Sequence, residues 1–164
     1  MGYKVRDVEK GGDNSTHLWI TMFIGEYTYS LDTKRRLSVP ATFRKLLGAK
    51  AVVTKGIDNC LVLYTKKEWD KKAEKISQYP ETQASARKYS RGILAAAIEV
   101  NIDRLGRILL PDYLKKYAGL KKKTVFAGLY NRIEIWDEAT WNKYTAQNDK
   151  EMGNTVERLK ELGV

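Results

Sequence analysis

Leu31-Asp32-Thr33-Lys34-Arg35-Arg36-Leu37-Ser38-Val39-Pro40 and Ile102-Asp103-Arg104-Leu105-Gly106-Arg107-Ile108-Leu109-Leu110-Pro111 are two versions of one motif, 71 positions apart. Aspartate, arginine and proline fall in register. Continuing at that spacing pairs Lys45 with Lys116, Gly48 with Gly119 and Lys50 with Lys121. One inserted residue then shifts the spacing to 72, where Gly56 meets Gly128, Asn59 meets Asn131 and Trp69 meets Trp141. Repeats decide architecture before any other motif does. The body of this chain is a duplication.

Each copy has a physical reading. Tyr27, Tyr29 and Leu31 alternate with Glu26, Thr28 and Ser30, the period of a half-buried strand. Ile98, Val100 and Ile102 repeat that pattern against Glu99 and Asn101. A polar turn follows (Asp32 to Arg35, Asp103 to Gly106), then a second strand ending at Pro40 or Pro111. Proline suits a helix start, where its missing N–H costs nothing. Helices are therefore predicted over Ala41–Leu47 and Asp112–Ala118, with Gly48 and Gly119 as terminators. A hairpin over 51–64 turns at Gly56 to Asn59. Its counterpart runs Thr124–Ala127 and Arg132–Trp136, turning over Gly128–Asn131. Helices beginning near Lys66 and Glu138 close the units, and Glu81–Ala97 reads as a linking helix. Short strands with small helices at fixed places predict a compact α+β barrel of two pseudo-symmetric halves.

The expected organisation is a disordered extension over 1–21, a first repeat over 22–78, a linking helical segment over 79–95, a second repeat over 96–144 and a polar tail over 145–164. Gly11 to Thr16 is a polar run without periodicity, which supports the extension. The tail carries at most a short helix over Thr155–Leu162.

Composition narrows function. The 164 residues include 43% apolar and 30% charged side chains, which excludes disorder throughout. The longest apolar run, Ile93 to Ile98, is far short of the ~20 residues of a spanning helix. One cysteine, Cys60, excludes an internal disulfide, and one histidine, His17, excludes paired-histidine zinc motifs. No metal-ligand cluster, nucleophile elbow or phosphate loop stands in the sequence, so no cofactor, metal or small-molecule substrate is expected, and no enzyme. A nuclease would want clustered carboxylates for Mg²⁺ or a histidine base. Lys and Arg number 30 against 20 Asp and Glu, a net charge of +10 that favours a polyanionic partner. A membrane surface would want a basic amphipathic helix with an aromatic apolar face, and none is evident.

Asp-x-x-x-Arg, as Asp32/Arg36 and Asp103/Arg107, admits two readings. Aspartate accepts backbone N–H groups in a turn, and an arginine four residues on can fork onto the carboxylate, making a clip with no ligand. Alternatively, the tip offers guanidinium groups to phosphates or guanine edges. Lys34, Arg35 and Arg36 put three cations beside one aspartate, which favours the second reading there. Arg104 and Arg107 flank Asp103, where the two readings balance. The charge runs Lys121-Lys122-Lys123 and Lys66-Lys67 with Lys71-Lys72 read as solvated helix edges. Trp69, Trp136 and Trp141 read as core.

These residues carry a resemblance. Met22-Phe23-Ile24-Gly25-Glu26-Tyr27, the first motif and Cys60-Leu61-Val62-Leu63-Tyr64 resemble the first half of the MraZ family. The second motif to Pro111, Tyr117-Ala118-Gly119-Leu120 and Ile133-Glu134-Ile135-Trp136 resemble its second half, so the likeness spans Met22 to Tyr144. Such proteins characteristically begin at a position like Met22, so residues 1–21 fall outside it. The resemblance implies an AbrB/MazE/MraZ-like swapped-hairpin (double-split) β-barrel, usually assembled into a ring. It implies a cytoplasmic, nucleoid-associated transcriptional regulator that binds repeated DNA boxes upstream of its own cell-division and cell-wall operon. The family's DNA-contacting arginines map onto Arg36 and Arg107, with Lys34, Arg35 and Arg104 beside them and Asp32 and Asp103 as turn clips. The alternative within the superfamily is an antitoxin-like module that holds a toxin. One departure matters: the family's glycine before the arginine is present as Gly106 but replaced by Arg35. If that turn needs a positive φ, Arg35 either bears a strain of about 1–2 kcal/mol or the turn is rebuilt.

Overall fold

The computed structural model describes residues 22–163, and the extension expected over 1–21 lies outside them. In chain order the elements are β1 (Phe23–Ser30), β2 (Arg36–Ser38), α1 (Ala41–Leu47), β3 (Lys50–Lys55), β4 (Leu61–Thr65), α2 (Lys66–Ser77) and α3 (Ala84–Leu94). Then come β5 (Ile98–Asn101), β6 (Arg107–Leu109), α4 (Asp112–Tyr117), β7 (Lys123–Tyr130), β8 (Ile133–Asp137) and α5 (Glu138–Glu161). The class is α+β, with every strand pair antiparallel.

The two copies trade strands. β1 of the first copy lies on β7 of the second, while β5 of the second lies on β3 of the first. A six-stranded sheet results, in the order β1-β7-β8-β4-β3-β5, and β2 pairs with β6 as a separate two-stranded ribbon. Among the described residues no ladder joins β1 to β5, so the sheet is open where a closed barrel was expected. The chain turns sharply after β1 and β5, and β2 and β6 leave the main sheet to pair with each other.

Register exposes a pseudo-two-fold axis. In the ribbon Leu37 faces Ile108, its own repeat equivalent, and Arg36↔Leu109 mirrors Ser38↔Arg107. In the sheet Val62 faces its equivalent Glu134, and Leu61↔Ile135 mirrors Leu63↔Ile133. Leu37, Ile108, Leu61 and Ile133 are fully buried in one shared core with Phe43 and Phe126. Neither copy has a core of its own.

Four details differ from the sequence reading. Ala49 O accepts from Ile102 N as Lys122 O accepts from Leu31 N, so the equivalent of Lys50 is Lys123, not Lys121. The extra residues sit in the loop before β7, where length is cheap. Second, Gly128 lies inside β7 and the turn falls at Tyr130-Asn131 instead, because Leu129 N donates to Arg132 O. A Cβ at Gly128 would stand 2.6 Å from Ile24 N, so the glycine serves the close crossing of β1. Third, α3 starts at Ala84, later than Glu81, because the Arg87 side chain caps the Glu81 and Thr82 carbonyls. Fourth, the tail holds no separate helix among the described residues: α5 runs unbroken for 24 residues across position 145. Trp141 and Tyr144 pack on Trp136 and seat its start, and Gly153 costs only about 1 kcal/mol.

Trp136 is buried with Cys60 and Val125, and Trp141 packs against them. Burial, helped by the Glu134 charge, pushes the Cys60 thiol up to about 12, so this cysteine is an inert packing residue. Trp69 tilts onto Tyr64 at 5.9 Å.

Candidate nucleic-acid interface

The β2–β6 ribbon brings both Asp-x-x-x-Arg turns together. Val39 N donates to Gly106 O and Leu110 N donates to Arg35 O, so each hairpin is tied to the other's turn. Strand alternation turns Leu37 and Ile108 inward and leaves Arg36, Ser38, Arg107 and Leu109 on the outer face.

Each turn closes by the same bonds. Asp32 Oδ1 accepts from Lys34 N at 2.9 Å and Arg36 N at 2.8 Å, and Oδ2 accepts from Arg36 Nε at 2.6 Å. Asp103 Oδ1 accepts from Leu105 N and Arg107 N, both at 2.9 Å, and Oδ2 from Arg107 Nε at 2.8 Å. The Arg36 and Arg107 backbone N–H bonds, then the guanidinium contacts, hold both carboxyls below the usual carboxylate range. The clip therefore exists at both turns. It consumes only Nε. Among the described residues no hydrogen bond engages the terminal nitrogens of either arginine, and the side chains are part-exposed, 37% at Arg36 and 25% at Arg107.

The three cations of the first motif do not form one cluster. Lys34 is exposed at the tip, and Arg36 is clipped. Arg35 is half-buried, lines a groove of about 300 Å³ with Ile98, Leu109 and Pro111, and helps lower the Asp112 carboxyl, whose main partner is Lys116. Its backbone takes φ 61°, beside φ 73° at Gly106. The turn is not rebuilt; Arg35 bears the strain. Arg104 is exposed beside Leu105 at the second tip.

Sequence reasoning missed Arg44. From α1 its Nε donates to Val39 O at 2.7 Å, and its guanidinium lies where a Cβ on Gly106 would be, 2.2 Å away. A contact between residues so distant in sequence leaves no local signal. The α2 lysines are a helix face, where Lys66 pairs with Asp70 and Lys71 with Glu68, whereas Lys121-Lys122-Lys123 is not a helix edge but the loop into β7, where Lys123 pairs with Glu138. A cleft of about 590 Å³ between α2, α3 and the β3–β4 turn mixes Lys72, Lys75 and Arg132 with Asp58, Glu68 and Glu134. Among the described residues no acidic, cysteine or histidine cluster could hold a metal ion, and no helix is long and apolar enough to cross a membrane.

Paired turns on an exchanged ribbon find a match among known proteins. The family described as "MraZ protein, putative antitoxin-like" matches twice, over residues 22–92 and 93–162. The chain belongs to the MraZ family. The two matches meet inside α3 and cover nearly all described residues, so the family unit is the repeat. A MraZ relative from Desulforamulus reducens, named transcriptional regulator MraZ, is 43% identical over 141 residues, which is 86% of this chain and 99% of the relative. One of the same name from Natranaerobius thermophilus is 43% identical, covering 87% of this chain and all of the relative. Another, from Caldanaerobacter subterraneus subsp. tengcongensis, is 38% identical over the same share of this chain.

Proposed function

We propose that this chain is a transcriptional regulator that binds double-stranded DNA in a sequence-specific manner through the β2–β6 ribbon. The observation that carries this is the pair of clipped arginines, Arg36 and Arg107, set on one ribbon with their terminal nitrogens free of hydrogen bonds among the described residues. The major groove admits a two-stranded ribbon, and an arginine fork matches guanine O6 and N7 or a phosphate. Fixing each guanidinium in advance reduces the ordering cost of binding. Lys34, Arg35 and Arg104 add phosphate contacts around the tips. The relatives' name supports the regulatory role. The exchanged hairpins support the swapped-hairpin, double-split reading of the fold. On the family's pattern, copies assemble into a ring in the cytoplasm, associate with the nucleoid and engage repeated boxes upstream of their own cell-division and cell-wall operon. Multivalency then multiplies the few contacts of each copy.

Arg36→Ala tests this. The variant is expected to fold and to lose binding to its upstream DNA. Each phosphate that is no longer neutralised lowers the log-log salt slope by about 0.9, and an unread guanine costs about 1–3 kcal/mol with weaker discrimination between boxes. Arg107→Ala should be milder, because its tip is less basic. A variant that melts early yet binds with unchanged affinity and slope reduces the arginine to a turn clip.

One observation favours the antitoxin-like alternative: Met152, Val156 and Leu159 of α5 and Leu162 just past it are exposed. A small toxin gene beside this one, with the toxin co-purifying through α5, would favour it over regulation of a wall-synthesis operon.

A further inference from the structure

At the repeat spacing the ribbon keeps its arginines and changes their neighbours. Lys34 becomes Leu105. Both occupy the same place in the turn, with the backbone N–H held by the aspartate Oδ1 at 2.9 Å, so both side chains stand on a fixed backbone. Leu105 is 66% exposed, belongs to no apolar cluster and lines neither cavity. Leu109, the other exposed leucine of this hairpin, differs because it forms a wall of the Arg35 groove. Scattered apolar side chains are ordinary on a surface. This one stands between Arg104 and Gly106, on a rigid tip next to the clipped Arg107, where a polar residue would serve solubility better.

We infer that Leu105 reads the 5-methyl group of thymine in the major groove, so that the two tips of one ribbon recognise different chemistry. This rests on the DNA-binding reading above. Of the base edges in that groove, the thymine methyl alone is apolar, and an aliphatic side chain is its natural complement. Lys34, at the equivalent place, supplies a cation to a phosphate or a guanine. A chain that is symmetric in backbone is thereby directional on DNA: the arginines set the spacing, and the Lys34/Leu105 difference sets which way the ribbon lies.

The test uses the full-length protein to select duplexes from a random pool. The selected duplex is then remade with each thymine in turn replaced by deoxyuridine, which removes only the methyl. At one or two positions the wild-type protein should bind three- to fivefold more weakly, the effect of one buried methyl. Leu105→Ala, which should melt like the wild type, should bind the thymine and uracil duplexes equally at those positions. Leu105→Lys should weaken the directional preference of the selected site. Indifference of the wild type to every replacement overturns the inference, as does an unchanged uracil penalty in Leu105→Ala or a change in oligomeric state as the only effect. Failure to select any duplex would instead overturn the DNA-binding reading itself.

Discussion

At the first tip Arg35 holds φ 61° and Lys34 crowns the turn; at the second, Gly106 holds φ 73° and Leu105 crowns it. The hydrogen bonds beneath are the same, from the aspartate Oδ1 to the cross-ribbon amides. The backbone conformation therefore belongs to the clip and not to the glycine. Glycine makes it cheap at one tip, and the surrounding bonds enforce it at the other. What distinguishes the tips is the neighbour: Arg44 presses on Gly106, whereas Arg35 has room to carry a side chain into the groove beside β5.

Exchanging the two residues should break that asymmetry unequally. Gly106→Ala adds a Cβ into the Arg44 guanidinium at a positive φ. The expected loss is about 1–2 kcal/mol of backbone strain plus about 0.5–1.5 kcal/mol for displacing Arg44 from Val39 O. Chemical denaturation of Gly106→Ala, Arg44→Ala and the double variant checks it. The double variant should lose less than the sum of the singles, because both act on one interaction. Strict additivity would mean that the guanidinium moves aside at no cost.

The reverse change is smaller and opposite in sign. Arg35→Gly relieves about 1–2 kcal/mol of strain and returns about 0.4–1 kcal/mol through the freer unfolded chain. A net gain of up to about 1.5 kcal/mol, read as a raised melting temperature, should come with weaker DNA binding. A variant that gains stability and keeps its full salt slope would remove Arg35 from the interface.

Much of this was legible in the sequence because it is local. The aspartate–arginine spacing gave both clips, the prolines marked α1 and α4, and Gly48 and Gly119 ended them, both with positive φ. What sequence could not reach was contact between distant segments. Gly128 resembled a turn glycine because the crossing of β1 is invisible along β7. Arg44 belongs to no motif, and its contact with Gly106 joins residues far apart in the chain. The tail looked polar because, beyond the stack of Trp141 and Tyr144 on Trp136, α5 meets little of the fold. The two readings of the arginines are compatible, because the clip engages Nε and leaves the terminal nitrogens without a hydrogen bond among the described residues.

Acidification should produce the smallest effect, and should produce it at both tips alike. Asp32 is held below its ordinary value of 3.8 first by the Arg36 backbone N–H, with burial opposing and the guanidinium assisting. Asp103 stands in the same relation to Arg107. A carboxyl whose folded value is depressed contributes stability that is fully present above its unfolded value and lost as pH falls through the folded one. Nothing should therefore change at the tips between pH 7 and 5, and loosening should begin below about 4. Amide proton shifts of Lys34, Arg36, Leu105 and Arg107, which all donate to the two carboxylates, should titrate together with midpoints below 3.8. Asp32→Asn keeps an acceptor oxygen and removes the titration, so it should flatten the shifts at Lys34 and Arg36 and spare the second tip. Midpoints at or above 3.8 would mean that the clips do not hold in solution, and the arginines would lose the rigidity on which the proposed pairing with DNA depends.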